Sequence, residues 1–394
     1  MKFKKLGNTD LEVSSICLGT MTWGEQNNQQ DAFKQMDYAT DQGINFFDTA
    51  EQYAVPSTKK SYGKTETIMG NWFKDRNNRE KIILATKISG PGSLWIRGGG
   101  LQYTKENITK ALEGSLKRLR TDYIDLYQLH WPERNTNYFG KLGYKHQNEE
   151  KEWTSLESVL RTLKYFIDQG KIRYIGISNE TAWGLFKFLE LSKLHDLPRV
   201  VSIQNPYNLL NRIYEVSSAE ISIREQCGLL AYSPLAFGML TGKYRNNQKP
   251  KGSRLQLYGD YFSRYSGKLL SLVAEKYFQV AKKYKISPAQ LSLAFINKQS
   301  FVTSTIIGTT TMEQLKENID SVNINLTSKI IDELNLIHKN NPNPTSSRET
   351  ETFLNKFYLR ILATTKLILK GDWKELCYKL NKVMIKPIRS FINK

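Results

Sequence analysis

The sequence is poor in the residues that build cross-linked or metal-held proteins. Among 394 residues there are three cysteines, Cys17, Cys227 and Cys377. They form no Cys-x-x-Cys pair and no metal-ligand grouping, and their odd number argues against a full disulfide framework. A reducing cytosol suits them best. Long apolar runs are also lacking: none approaches the roughly 20 residues needed to span a bilayer. The opening stretch MKFKKLGNTDLEV has no apolar core of a secretory signal. A cytoplasmic location is therefore expected. The run Gly98-Gly99-Gly100 matches neither a dinucleotide fingerprint nor a P-loop, and its composition is that of a flexible loop.

Positive charge, by contrast, is plentiful. The chain holds 57 Lys and Arg against 38 Asp and Glu, a formal net charge of +19. Such a balance fits nucleic acid or anionic lipid as a partner. It fits equally a lysine-rich solvated surface that suits an anionic cofactor, and this second meaning is preferred. No recognisable nucleic-acid module occurs, so no nucleic-acid partner is expected. With 40% hydrophobic and 24% charged residues, the composition is that of a soluble globular protein.

Short apolar runs alternate with helical patterns along the chain. The runs are VSSICLG (13–19), INFFD (44–48), KIILATK (81–87), YIDLYQLH (123–130), RYIGIS (173–178), VVSIQN (200–205), LLAYSP (229–234) and VTSTIIG (302–308). Consecutive apolar positions suit parallel strands covered on both faces. Helices are expected over 30–42, 105–120, 154–169, 181–195, 217–227, 268–284 and 311–322, with another opened by Ser287-Pro288. Eight such units predict an α/β fold closed as a (β/α)8 TIM barrel rather than an open sheet. Long connections at 88–104, 131–153 and 235–267 then lie on the C-terminal face, where barrel active sites sit.

Three polar residues end apolar runs on successive units: Asp48, Lys87 and His130. Tyr53 follows Asp48 closely enough to return over the same mouth. Singly, each has a bland explanation as a cap, a solvated charge or a structural ring. Together they suit carbonyl reduction. Hydride addition to a carbonyl carbon leaves an alkoxide that needs a proton. A tyrosine hydroxyl is a neutral acid near pH 7, and a neighbouring Lys lowers its pKa. Asp holds the Lys charged, and His orients the carbonyl. None of the four can deliver a hydride, so a nicotinamide is required.

This order resembles the tetrad of the aldo-keto reductase family. The contexts GINFFDTAEQY (43–53), ILATK (83–87), SLKRLRTDYIDLYQLHWP (115–132), GKIRYIGISN (170–179), AYSPLAFGMLTGKY (231–244) and STIIGTTTMEQLKENI (304–319) recur in the family's order. The resemblance covers about residues 1–340. The insert AVPSTKKSYGKTE (54–66) and the loop FGKLGY (139–144) look most like the family's Tas-type bacterial subgroup.

The resemblance implies an oxidoreductase that reduces a small aldehyde or ketone with NADPH. It implies Asp48, Tyr53, Lys87 and His130 as catalytic residues. Ser178, Asn179 and Gln204 would hold the nicotinamide carboxamide, with Tyr232 stacked on the ring. Thr20, Met21 and Asp48 would lie near the nicotinamide ribose. Ser233, Leu235, Gly238, Lys243 and Arg254 would hold the diphosphate. Gly308, Thr310, Gln314, Glu317 and Asn318 would hold the adenosine end. Many relatives place Lys-Ser and a later Arg around the 2′-phosphate, where this chain has Gly308, Thr309 and Gln314. NADPH is expected, with NADH as the alternative; no metal is expected. Trp23, Trp95, Trp131 and Tyr138 are candidates for an aromatic substrate pocket, or for loop anchoring. A regulatory subunit that senses NADPH and catalyses only incidentally is the alternative function.

Residues 1–340 are expected to be the barrel, 341–347 a linker and 348–394 a basic helical extension. The extension suits packing, a protein partner or an anionic membrane surface. The sequence does not specify the oligomeric state.

Overall fold

The computed structural model describes residues 1–347, apart from 100–101, 140, 142, 148–151 and 260. The expected extension, 348–394, lies outside the described residues, as do parts of the loops at 88–104 and 131–153. Residues Met1–Thr345 form one compact unit.

Eight parallel strands close into a barrel in the order β10-β3-β4-β5-β6-β7-β8-β9. They are β3 (Ile16–Gly19), β4 (Phe46–Asp48), β5 (Ile83–Ile88), β6 (Ile124–Leu129), β7 (Ile172–Ser178), β8 (Val200–Pro206), β9 (Gly228–Tyr232) and β10 (Val302–Ile307). All coincide with the apolar runs. Before them comes an antiparallel hairpin, β1 (Phe3–Lys5) and β2 (Glu12–Ser14), which the sequence pattern does not announce.

Helices α1 (Gln29–Asp41), α3 (Lys105–Leu119), α4 (Leu156–Asp168), α5 (Ala182–Leu194), α6 (Ser218–Arg224), α8 (Lys268–Lys283), α9 (Pro288–Asn297) and α10 (Met312–Asp320) fall where expected. Three more appear: α2 (Lys64–Arg76), α7 (Arg254–Tyr258) and α11 (Ser328–Asn340). In α4, Leu156, Val159, Leu160, Leu163 and Phe166 make one buried stripe. That spacing keeps an apolar face against the strands. Ser155 starts the helix by accepting the Ser158 N–H, and Gly170 ends it with a positive φ of 71°.

The strands alternate sides, and this places the site. Cys17, Phe46, Ala85, Leu126, Leu230 and Ile306 pack together inside the barrel with Leu6, Leu11 and Val13 of the hairpin segment. The intervening residues, such as Leu18, Phe47, Leu84 and Tyr127, join the larger core beneath the helices. With a period of two, Asp48, Lys87 and Gln128 share a side with Phe46, Ala85 and Leu126. They form the next layer up, at the C-terminal face. Gly176 belongs to the same layer: a Cβ there would meet Ser202 Oγ at 2.9 Å and the Gln128 side chain at 3.2 Å.

Among the described residues, no helix is long and apolar enough to cross a membrane.

Candidate active site

The polar layer above the inner core is a continuous hydrogen-bonded network. Lys87, fully buried, donates from Nζ to Asp48 Oδ2 and to the Thr49 carbonyl, both at 2.7 Å. The other Asp48 oxygen accepts from Gln204 Nε2 at 2.8 Å and Gln128 Nε2 at 3.2 Å. Tyr53 Oη lies 3.5 Å from Lys87 Nζ. The Tyr53 and His130 rings meet edge to face, 5.8 Å between centroids. The four residues expected to act together are therefore neighbours at one barrel mouth.

Their electrostatics differ from the simple expectation in one respect. A Lys beside Tyr should lower the hydroxyl's pKa. Burial instead pushes Tyr53 above its ordinary value, and the Lys87 charge draws it back only in part. The direction of this shift favours the protonated phenol at Tyr53. Burial disfavours the Lys87 ammonium, but Asp48 and Tyr53 hold its pKa above the usual lysine value. His130 sits well below the imidazole range, first through burial and then through repulsion from Lys87. A neutral imidazole keeps one donor and one acceptor nitrogen. His130 Nδ1 is buried and has no hydrogen-bond partner among the described residues.

The expected nicotinamide contacts converge on the same mouth. Thr20 donates from Oγ1 to the Asp48 carbonyl at 2.9 Å, and Val55 N–H reaches the Met21 carbonyl at 3.1 Å. Ser178 Oγ donates to the Gln204 carbonyl at 2.8 Å. Asn179 Nδ2 donates to the His130 carbonyl at 2.9 Å, and Tyr232 Oη donates to Asn179 Oδ1 at 2.6 Å.

The segment after β9 has the features of an anion cradle. Ser233, Ala236 and Phe237 have positive φ, as does Gly238. Turns of this kind gather backbone N–H groups around an anion. Gly238 has a φ of 94°, which favours glycine, and a Cβ there would displace the end of the Lys243 side chain, 2.5 Å away at Cε. Lys243 is held below its usual pKa by burial and by the neighbouring Arg254 charge. Burial likewise depresses Arg254, whose guanidinium lies over Phe262, 4.9 Å from the ring centroid. Neither has an ion-pair partner among the described residues. Two half-buried cations without carboxylate partners among the described residues, beside a turn of positive-φ residues, suit a bound diphosphate.

The segment expected to hold the adenosine end is more self-contained. Gly308 is exposed. The Gln314 side-chain oxygen accepts the Thr310 N–H at 3.0 Å, and Asn318 is buried. Glu317 is engaged by Ser287 Oγ.

The aromatic candidates divide. Trp23 is fully buried, with its indole N–H on Gln35, so it anchors a loop rather than lining a pocket. Trp131 packs on His130 at 4.9 Å and on Phe139 at 5.6 Å, close to the mouth. Tyr138 meets Phe139 at 5.1 Å, and Trp95 is exposed.

Sequence reasoning missed Gln128, which secures Asp48 and lies two residues before His130. It also missed Glu51, buried between Asp48 and Tyr53 in sequence. Glu51 accepts the Ser89 N–H at 2.8 Å and pairs with Arg97. No strand period marks it, because it lies in the turn after β4, and its partner is 46 residues away.

A profile described as "Aldo/keto reductase family" matches residues 15–339. The chain belongs to the aldo/keto reductase family. It is 48% identical over 341 residues to "Protein tas" of Escherichia coli, covering 86% of this chain and 98% of that one. It is 35% identical over 342 residues to "Uncharacterized oxidoreductase YrpG" of Bacillus subtilis, covering 85% and 95%. A protein of Babesia bovis named "Aldo-keto reductase" is 38% identical over 273 residues, covering 66% and 96%. This reductase is thus an oxidoreductase of the Tas-type subgroup, in a family that uses nicotinamide cofactors and small carbonyl substrates.

Proposed function

We propose that this aldo-keto reductase reduces an aldehyde or ketone to an alcohol with NADPH, and that Tyr53 is the proton donor. One observation carries the proposal: the buried Tyr53 hydroxyl lies 3.5 Å from Lys87 Nζ, with its ring edge to face against His130. When bound, the nicotinamide supplies the hydride. Thr20, Met21, Ser178, Asn179, Gln204 and Tyr232 would hold its reactive end. Ser233, Leu235, Gly238, Lys243 and Arg254 would hold the diphosphate, and Gly308, Thr310, Gln314, Glu317 and Asn318 the adenosine end.

The chain's own groups divide the remaining work. His130 donates a hydrogen bond to the substrate oxygen and orients the carbonyl. Tyr53 passes its hydroxyl proton to that oxygen as negative charge builds there. The phenolate left behind is costly in a buried site. Lys87 offsets that cost: unit charges about 4 Å apart attract by roughly 4 kcal/mol at an effective dielectric near 20. Asp48 keeps the ammonium charged and aimed, and Gln128 and Gln204 fix the second Asp48 oxygen.

The test is cofactor oxidation over a panel of aldehydes and ketones, with the alcohol identified. Carbonyl-dependent oxidation and alcohol formation are expected. Tight NADPH binding with no turnover above background would instead favour a regulatory subunit. Equal or tighter NADH binding would overturn the NADPH preference.

A further inference from the structure

Besides Lys243 and Arg254, which the diphosphate would engage, Arg264 is a further cation on this face of the barrel with no carboxylate partner among the described residues. The nearby carboxylates among these residues are engaged elsewhere. Asp48 holds Lys87, Glu51 holds Arg97, and Glu180 holds Arg134. Glu133 accepts the backbone N–H groups of Tyr103 at 2.7 Å and Thr154 at 2.9 Å. Arg264 has no carboxylate in ion-pair distance among the described residues. The groups that bear on its charge are the Tyr232 and Tyr265 hydroxyls.

Arg264 is held in place at the mouth. Its neighbours in sequence, Phe262 and Tyr265, are buried against Phe237, with centroids 5.1 and 4.9 Å away. Arg264 Nη1 donates to Tyr232 Oη at 3.3 Å. Its guanidinium also lies over the Phe139 ring, 5.6 Å from the centroid. These contacts complete a ring of residues. It runs from His130 through Trp131 and Phe139 to Arg264, then through Tyr232 and Asn179 back to His130. Tyr53 packs edge to face against His130, one member of the circuit.

A half-buried guanidinium has five N–H donors, and here its polar partners are two neutral hydroxyls, those of Tyr232 and Tyr265. Its fork matches a carboxylate or phosphate, and such charge-assisted bonds are about twice as strong as neutral ones. We propose that Arg264 selects carbonyl substrates that carry an anionic group, such as a carboxylate, at the far end from the reacting carbon. The inference rests on the carbonyl-reductase assignment and narrows its substrate class. The aromatic wall of Trp131 and Phe139 contacts the apolar stretch between the two ends of the substrate.

The test compares 4-carboxybenzaldehyde with its neutral isostere 4-formylbenzamide, using the full chain and saturating NADPH at low salt. The wild type is expected to prefer the carboxylate by at least about tenfold in kcat/KM, the scale of one charge-assisted hydrogen bond. Arg264→Gln is expected to bring the ratio close to one, and Arg264→Lys to leave an intermediate ratio. NADPH affinity, measured alongside, should change less than twofold. A wild-type ratio near one, or the same ratio in Arg264→Gln, would overturn the proposal. So would a large loss of NADPH affinity with an unchanged ratio, which would make Arg264 a cofactor contact. Benzoate and benzamide binding to the NADP⁺-loaded protein separates this idea from the reductase assignment. Arg264-dependent preference for benzoate without turnover of either aldehyde would keep the anion site and discard the reductase. No preference in either assay would discard the anion site.

Discussion

The two ends of the barrel each bury an aspartate against cations, and the proposed chemistry belongs to only one of them. At the C-terminal end Asp48, 2% exposed, binds Lys87. At the opposite end Asp125, also 2% exposed, binds Arg79 and Arg173, both at 2.8 Å. Asp125 further accepts the Leu84 N–H at 3.0 Å. Arg79 spends its other donors on the carbonyls of Ile82 and Tyr123 and on Thr121 Oγ1. That lower cluster is saturated by fixed partners. At the upper end Lys87 faces a tyrosine hydroxyl, and His130 Nδ1 has no hydrogen-bond partner among the described residues. A closed network holds strands together, whereas an open one leaves proton-bearing groups for a substrate.

The sharpest way to break this comparison is Tyr53→Phe. Removing one hydroxyl at the open end should lower kcat by about 100- to 10,000-fold, the usual contribution of a general acid. The melting temperature should stay near that of the wild type. Asp125→Ala is its counterpart at the closed end. Leaving the partly exposed Arg79 and Arg173 guanidinium groups and the Leu84 N–H without this partner should cost about 1–3 kcal/mol in urea unfolding. Turnover per folded molecule should be unchanged.

A smaller effect comes from pH. His130 is held well below its unfolded value of 6.5. Below about pH 6.5 the unfolded chain therefore binds a proton that the folded chain refuses. Stability should fall as pH drops, at up to about 1.4 kcal/mol per unit from this group. Urea titrations between pH 7 and 5 should show a shallower slope in His130→Gln. The smallest effect tests position without charge. Ser155→Ala removes a cap at the C-terminal face of the barrel, where α4 starts, and should cost about 1 kcal/mol without changing kcat.

Much of this arrangement is legible in the residues themselves. Asp48, Lys87 and His130 each end an apolar run, and period two carries them from the inner core to the mouth. Tyr53 is different: it lies beyond a strand, and the family resemblance singles it out. The hairpin β1–β2 was hidden because three-residue strands carry no usable period. Helix α2 was hidden by its polar composition, since Glu66 and Thr65 are buried in it. Glu66 is stabilised there by Arg118 and Thr86, partners far away in sequence. Burial, which no local pattern reports, also reversed the expected direction of the Tyr53 shift. Trp23 and Trp131 look alike as letters, yet one fills a loop and the other borders the mouth. Arg264 lies in a long loop, and only the tertiary structure shows which carboxylates were already taken.

The central claim is that the open end of the barrel passes a proton from Tyr53 during carbonyl reduction. Deuterium tracing with [4,4-²H₂]NADPH and an aldehyde tests it most directly. The account predicts one deuterium on the alcohol carbon with the wild type, and little or no labelled alcohol with cofactor-saturated Tyr53→Phe. Unlabelled product, no product from a broad aldehyde panel, or equal labelling by Tyr53→Phe would contradict it.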